Sequence, residues 1–140
     1  TRRDVDAICT RSLDASVFDL SKALVSGTAQ QAFGILDDLL AQKEKPVVIL
    51  GTLISAYVDM YRAQVALNSG EAAEAAAREF NYKRREFRLK NGARSSANMS
   101  LEQIRNCLDI LADADMRLKS TALDERRILE ELMLRLMLIS

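Results

Sequence analysis

Helix breakers are scarce in this chain, and that scarcity constrains its fold more than any other feature: one Pro and five Gly in 140 residues. Glycine and proline punctuate turns, so a chain with so few of them must run in long uninterrupted elements. Plentiful Ala, Leu, Arg, Glu, Gln and Met, with few β-branched alternations, make those elements helices. The expected fold class is all-α, a helical bundle of about six to eight helices in one domain over residues 1–140.

The helix starts carry their own signals. Ser16 with Asp19, Thr28 with Gln31 and Ser100 with Gln103 each match the capping-box spacing ahead of an apolar-periodic segment. The pattern predicts helices over 4–11, 17–26 (ended by Gly27), 29–42 and a long one over 46–68 opened by Pro46. It continues with 71–80, 83–97, 101–120 and 124–139. On the long helix Leu50, Leu53, Ile54, Tyr57, Met60, Tyr61 and Val65 share one broad arc, with Thr52, Ser55, Asp59 and Arg62 opposite. That arc marks it as the central helix.

Composition also removes whole classes of chemistry. Without any His, the commonest general base, the commonest zinc ligand and every Ser-His or Cys-His nucleophile pair are excluded. The carboxylate pairs Asp37-Asp38, Asp113 with Asp115, and Glu130-Glu131 have no complementary acid, base or metal ligand beside them and read as solvated helix charges. Neither a GxxxxGK[ST] loop nor a GxGxxG turn is present, so no catalytic, cofactor or metal residue is assigned. Cys9 and Cys107 stand alone, without CxxC spacing, and read as reduced thiols of a cytoplasmic protein. No apolar run approaches the roughly 18 residues of a membrane span, and the Thr-Arg-Arg-Asp start is unlike a signal peptide. A start at Thr1 rather than Met points to a piece of a longer polypeptide.

Two segments stand out for function. In the last helix Ile128, Leu129, Leu132, Met133, Leu136, Met137 and Ile139 form a continuous apolar half-circle, while Leu134 and Leu138 fall outside it among Glu130, Glu131 and Arg135. Either neighbouring helices of the same chain bury Leu134 and Leu138, or these two, with Arg135 at the rim, form a subunit interface. Residues 78–94 carry a local excess of five positive charges in a chain of net charge zero, interleaved with Phe80, Tyr82 and Phe87. Read functionally, this is half of a helix-turn-helix, a nucleic-acid-binding module placing Arg84, Arg85, Arg88 and Lys90 on DNA phosphates. Read structurally, it is a solvated basic face with the aromatics as core anchors.

Several stretches carry a family resemblance. LADADMRLKS at 111–120 and LDERRILEELMLRL at 123–136, with Asp115, Leu118, Lys119, Asp124, Arg126, Leu129, Glu130 and Leu132, resemble the C-terminal part of the delta subunit of bacterial DNA polymerase III. VFDLSKALVSGTAQQAFGILDDLL at 17–40, Tyr61-Arg62 and FRLKNGAR at 87–94 fit the same region, so the similarity covers nearly the whole chain. AAEAAAREFN at 72–81 is more Ala-rich than that pattern, and NYKRRE at 81–86 replaces a commonly hydrophobic turn.

The resemblance implies the collar domain of a clamp loader, an oligomerisation element that joins other loader subunits of gamma/tau and delta-prime type. It implies AAA+-type modules preceding this domain, contact with the sliding clamp through them, and primed DNA nearby during replication.

Overall fold

A computed structural model describes residues 12–78, 80, 82, 85–120 and 124–139. Six α-helices and one 3-10 helix follow one another among these residues: α1 (Leu13–Ser26), α2 (Ala29–Ala41), α3 (Pro46–Asn68), the 3-10 helix (Ala73–Arg78), α4 (Phe87–Ser95), α5 (Leu101–Ser120) and α6 (Glu125–Ile139). No strand occurs among them, so the all-α expectation holds. The helix expected over 4–11, together with Cys9, lies outside the described residues.

Local chemistry explains most boundaries. Pro46 opens α3 at its first turn, where the missing N–H costs nothing. Ser100 and Gln103 form a reciprocal capping box: Gln103 Oε1 accepts from Ser100 N at 2.8 Å, and Ser100 Oγ accepts from Gln103 N at 3.1 Å. Gly27 adopts φ 74° at the end of α1, which lets Thr28 N donate to Ala23 O and close the last turn.

The two other capping assignments are corrected. The cap of α1 is Ser12, whose Oγ accepts from Ala15 N, and Ser16 lies inside the helix one turn later. Thr28 precedes α2 without a side-chain cap; its hydroxyl is engaged with Ser26 Oγ instead.

Helix α3 is the axis of the fold, packed by α1, α4, α5, α6 and the 3-10 helix. Leu50, Leu53, Tyr57 and Met60 are buried in the main core with Leu20 and Leu24 of α1, Leu36 and Leu39 of α2, Ile104 and Leu111 of α5, and Leu132 and Leu136 of α6. Ile54 and Tyr61 pack at its edge, and Val65 is exposed. Asp59, expected on the polar arc, is buried: α4 covers that side of α3, and a smaller core of Ala63, Ala73, Tyr82 and Leu89 forms there.

Two further expectations change in this region. The α-helix expected over 71–80 is a six-residue 3-10 helix, because alanines offer too little apolar surface to drive a longer element onto α3. Among the described residues, the helix expected over 83–97 runs from Phe87 to Ser95. Gly92 fixes how closely α4 approaches α3: a Cβ there would stand 3.0 Å from the backbone C of Asp59 and N of Met60.

Candidate functional site

Helix α6 has two apolar faces, and only one is used internally. Ile128, Leu129, Leu132, Met133 and Leu136 fill the core. Leu134 is 50% exposed and Leu138 86% exposed on the other side, so the chain does not bury them. The rim is ionic: Arg135 Nη1 donates to Asp113 Oδ2 of α5 at 3.2 Å, and Arg117 Nη2 donates to Glu131 Oε2 at 3.4 Å. Gln103 Nε2 donates to Ile139 O at 3.2 Å, fastening the end of α6 to the start of α5. Helices α5 and α6 thus present exposed leucines beside these charged pairs, with Met116 also open on α5.

The carboxylate pairs read as solvated charges are at the surface, but several have partners. Asp37 and Glu130 both accept from Arg126, which links α2 to α6, and Asp115 accepts from Lys119 at 3.0 Å. Among the described residues no group of three or more His, Cys, Asp or Glu is placed to hold a metal ion.

The basic segment is organised differently from a helix-turn-helix. Among the described residues a six-residue 3-10 helix and the nine-residue α4 stand where such a motif needs two α-helices. Arg84 lies outside the described residues. Arg88 Nε donates to Asp59 Oδ2 at 2.9 Å, and Lys90 Nζ stands 3.6 Å from Glu74 Oε2, so both are engaged within the chain. Arg85 is exposed and has no carboxylate partner among the described residues. Tyr82 is a core anchor, as expected, whereas Phe80 and Phe87 remain exposed.

Around Asp59 the structure assembles a group that the sequence separates. Tyr82 Oη donates to Asp59 Oδ1 and accepts from Arg62 Nη1 at 3.1 Å. Burial first, and then the carboxylate that its hydrogen bond serves, raise the Tyr82 pKa, so the phenol stays protonated as donor. The Arg62 guanidinium lies 3.6 Å from the centroid of the Phe80 ring. Arg62 escapes a reading by charge density because it stands 16 residues before the basic stretch; only the wheel, which sets it beside Asp59, hints at its place.

Among the described residues six α-helices pack around a buried axial helix, and the last of them leaves Leu134 and Leu138 exposed. The family described as DNA polymerase III delta subunit, C-terminal domain, matches residues 14–136, and the chain belongs to that family. It is 26% identical over 137 residues to the DNA polymerase III subunit delta of Bacillus subtilis (strain 168), covering 98% of this chain and 39% of that relative. The solved Bacillus subtilis DNA clamp loader delta protein superposes with a TM-score of 0.84 at 26% identity, over 96% of this chain and 39% of that one. The chain thus spans about two fifths of the length of the relatives it matches. No helix of the described residues is long and apolar enough to cross a membrane.

Proposed function

We propose that this domain is the collar element of a clamp-loader delta subunit, packing beside the helical domains of gamma/tau and delta-prime type subunits in the cytoplasm. The observation that carries this reading is the exposure of Leu134 and Leu138 on a helix whose opposite side is wholly committed to the core. Large side chains left open on a rigid face lose water most effectively against a second protein surface. A stable interface of about 1,200–2,000 Å² needs a central apolar patch with a polar rim, and Arg135 with Asp113 supplies such a rim. The domain's contribution is then geometric: it holds subunits side by side while AAA+-type modules elsewhere in the delta chain engage the sliding clamp and primed DNA.

The test is the double change Leu134→Asp and Leu138→Asp in the full-length delta chain. Co-purification with the other loader subunits is expected to be lost while the circular dichroism and melting temperature of the chain stay unchanged. Retained assembly would overturn the reading, and so would unfolding of the chain, since it would mean that these leucines stabilise the fold itself.

A further inference from the structure

Helix α3 carries two apolar stripes side by side, and the described residues cover only one of them fully. Leu50, Leu53, Tyr57 and Met60 are buried in the main core. Next to them Val47, Gly51, Ile54, Val58, Tyr61 and Val65 recur at alternating steps of four and three residues, the seam spacing by which one helix packs along another. Val47 is 38% exposed and Val65 40% exposed at the two ends, and Ile54, Val58 and Tyr61 are half-buried between them. A side chain at Gly51 would meet nothing within 4 Å, so the middle of the seam is open. From Val47 to Val65 it runs about 27 Å.

The seam has walls as well as a floor. Val58, Tyr61 and Val65 share a recess of about 570 Å³ with Leu108 of α5, Ala76 of the 3-10 helix and Phe80. Apolar side chains at heptad steps form holes that accept, one after another, the knobs of a single incoming helix. Arg62 lines the same recess. It is held by the Phe80 ring and the Tyr82 hydroxyl, contacts that leave its charge intact, and it has no carboxylate partner among the described residues. Glu71, the only carboxylate lining that recess among the described residues, follows the end of α3, beyond the last residue of the seam.

We infer that this seam docks an amphipathic α-helix of a second protein, with aliphatic residues on its inner positions and acidic residues on the flank that passes Arg62. The inference goes beyond the assembly reading and does not depend on it, because the seam lies on α3 and the exposed leucines on α6. An extended peptide is excluded by the spacing: its side chains point the same way at every second residue and cannot follow steps of three and four. All six seam positions are uncharged, which suits apolar side chains and offers an anionic backbone nothing along the floor. The acidic flank follows from Arg62. A carboxylate beside it gains a charge-assisted hydrogen bond from a guanidinium that is already positioned, whereas a Lys or Arg there is repelled.

The experiment is fluorescence anisotropy of a labelled designed peptide, three heptads long, titrated with the full-length delta chain. The peptide carries Leu at its a and d positions and Glu at e and g, where like charges keep it from pairing with itself. Saturable binding is expected, with a gain of helical circular dichroism by the peptide. Val47→Asp and Val65→Asp are each expected to weaken binding about tenfold, and both positions are exposed, so these variants keep the fold. The same peptide with Lys in place of Glu is expected to bind about threefold more weakly, and Arg62→Gln to narrow that difference. Leu134→Asp with Leu138→Asp is expected to leave binding unchanged; its loss would place the peptide on α6 and overturn the inference. Absence of binding to the full-length chain overturns it as well. Loss in Val65→Asp but not in Val47→Asp would reduce the seat to the recess around Phe80, and equal binding of the Glu and Lys peptides would remove the acidic partner; either result overturns it. Self-association of the delta chain in sedimentation, abolished by Val65→Asp, would make the occupant a second copy and overturn it too.

Discussion

Asp59 of α3 and Arg88 of α4 meet at 2.9 Å between carboxylate and Nε, on the side of α3 that faces away from the main core. With Tyr82 on the second carboxylate oxygen, the pair joins three pieces of chain beside a small apolar cluster. Removing the carboxylate leaves a buried phenol and a guanidinium without their acceptor. Asp59→Ala is therefore expected to lower stability by about 2–3 kcal/mol, read from the urea midpoint. Arg88→Gln should cost less, because that side chain keeps partial access to water.

The approach of α4 to α3 is set by the absence of a side chain at Gly92. A methyl group there meets backbone rather than a flexible side-chain tip, so the helices must separate. Gly92→Ala is expected to lose about 1–3 kcal/mol despite the gain in helix propensity. Hydrogen exchange should show the loss first in α4, leaving α5 and α6 protected; equal loss across all helices would contradict this local account.

These two positions show where sequence patterns suffice and where they stop. The ends of α3 and α5 were legible because Pro46 and the Ser100–Gln103 pair act locally. Leu134 and Leu138 were legible as apolar residues off the core stripe because helical periodicity alone places them. Asp59 was misplaced because a wheel records polarity, whereas burial depended on Tyr82 and Arg88 arriving from 23 and 29 residues away. The alanine-rich stretch scored as α-helix on propensity, yet too little apolar area was available to extend it beyond a 3-10 helix. Arg62 became part of the group around Asp59 through tertiary contacts to Phe80 and Tyr82, which no spacing rule contains.

Tyr57 is fully buried at the centre of α3, and its hydroxyl has no hydrogen-bond partner among the described residues. Burial drives its pKa far above the ordinary phenol value, so the group stays neutral and pays only for lost hydration. Tyr57→Phe keeps the ring and deletes the unsatisfied atom. It is expected to raise stability by about 1 kcal/mol, whereas Tyr57→Ala, which empties the site, should cost about 3–5 kcal/mol. A destabilised Phe variant in thermal melts would mean that the hydroxyl has a partner in solution.

Cys107 sits in the main core on α5, and burial pushes its thiol up to about 11 from 9.0. A raised folded-state value favours the protonated form, so its contribution is fully present below the ordinary thiol range and is lost as pH climbs toward about 11. Other groups titrate in that window, so the useful quantity is a difference. In a Cys9→Ser background, the protein with Cys107 should lose stability between pH 9 and 11 more steeply than one carrying Cys107→Ala, although the Ala variant starts lower at neutral pH. Parallel pH profiles would contradict the burial argument. The same desolvation keeps the thiolate scarce at pH 7, so alkylation of Cys107 should proceed at the rate of unfolding and accelerate in Asp59→Ala only if that change opens the whole core rather than α4 alone.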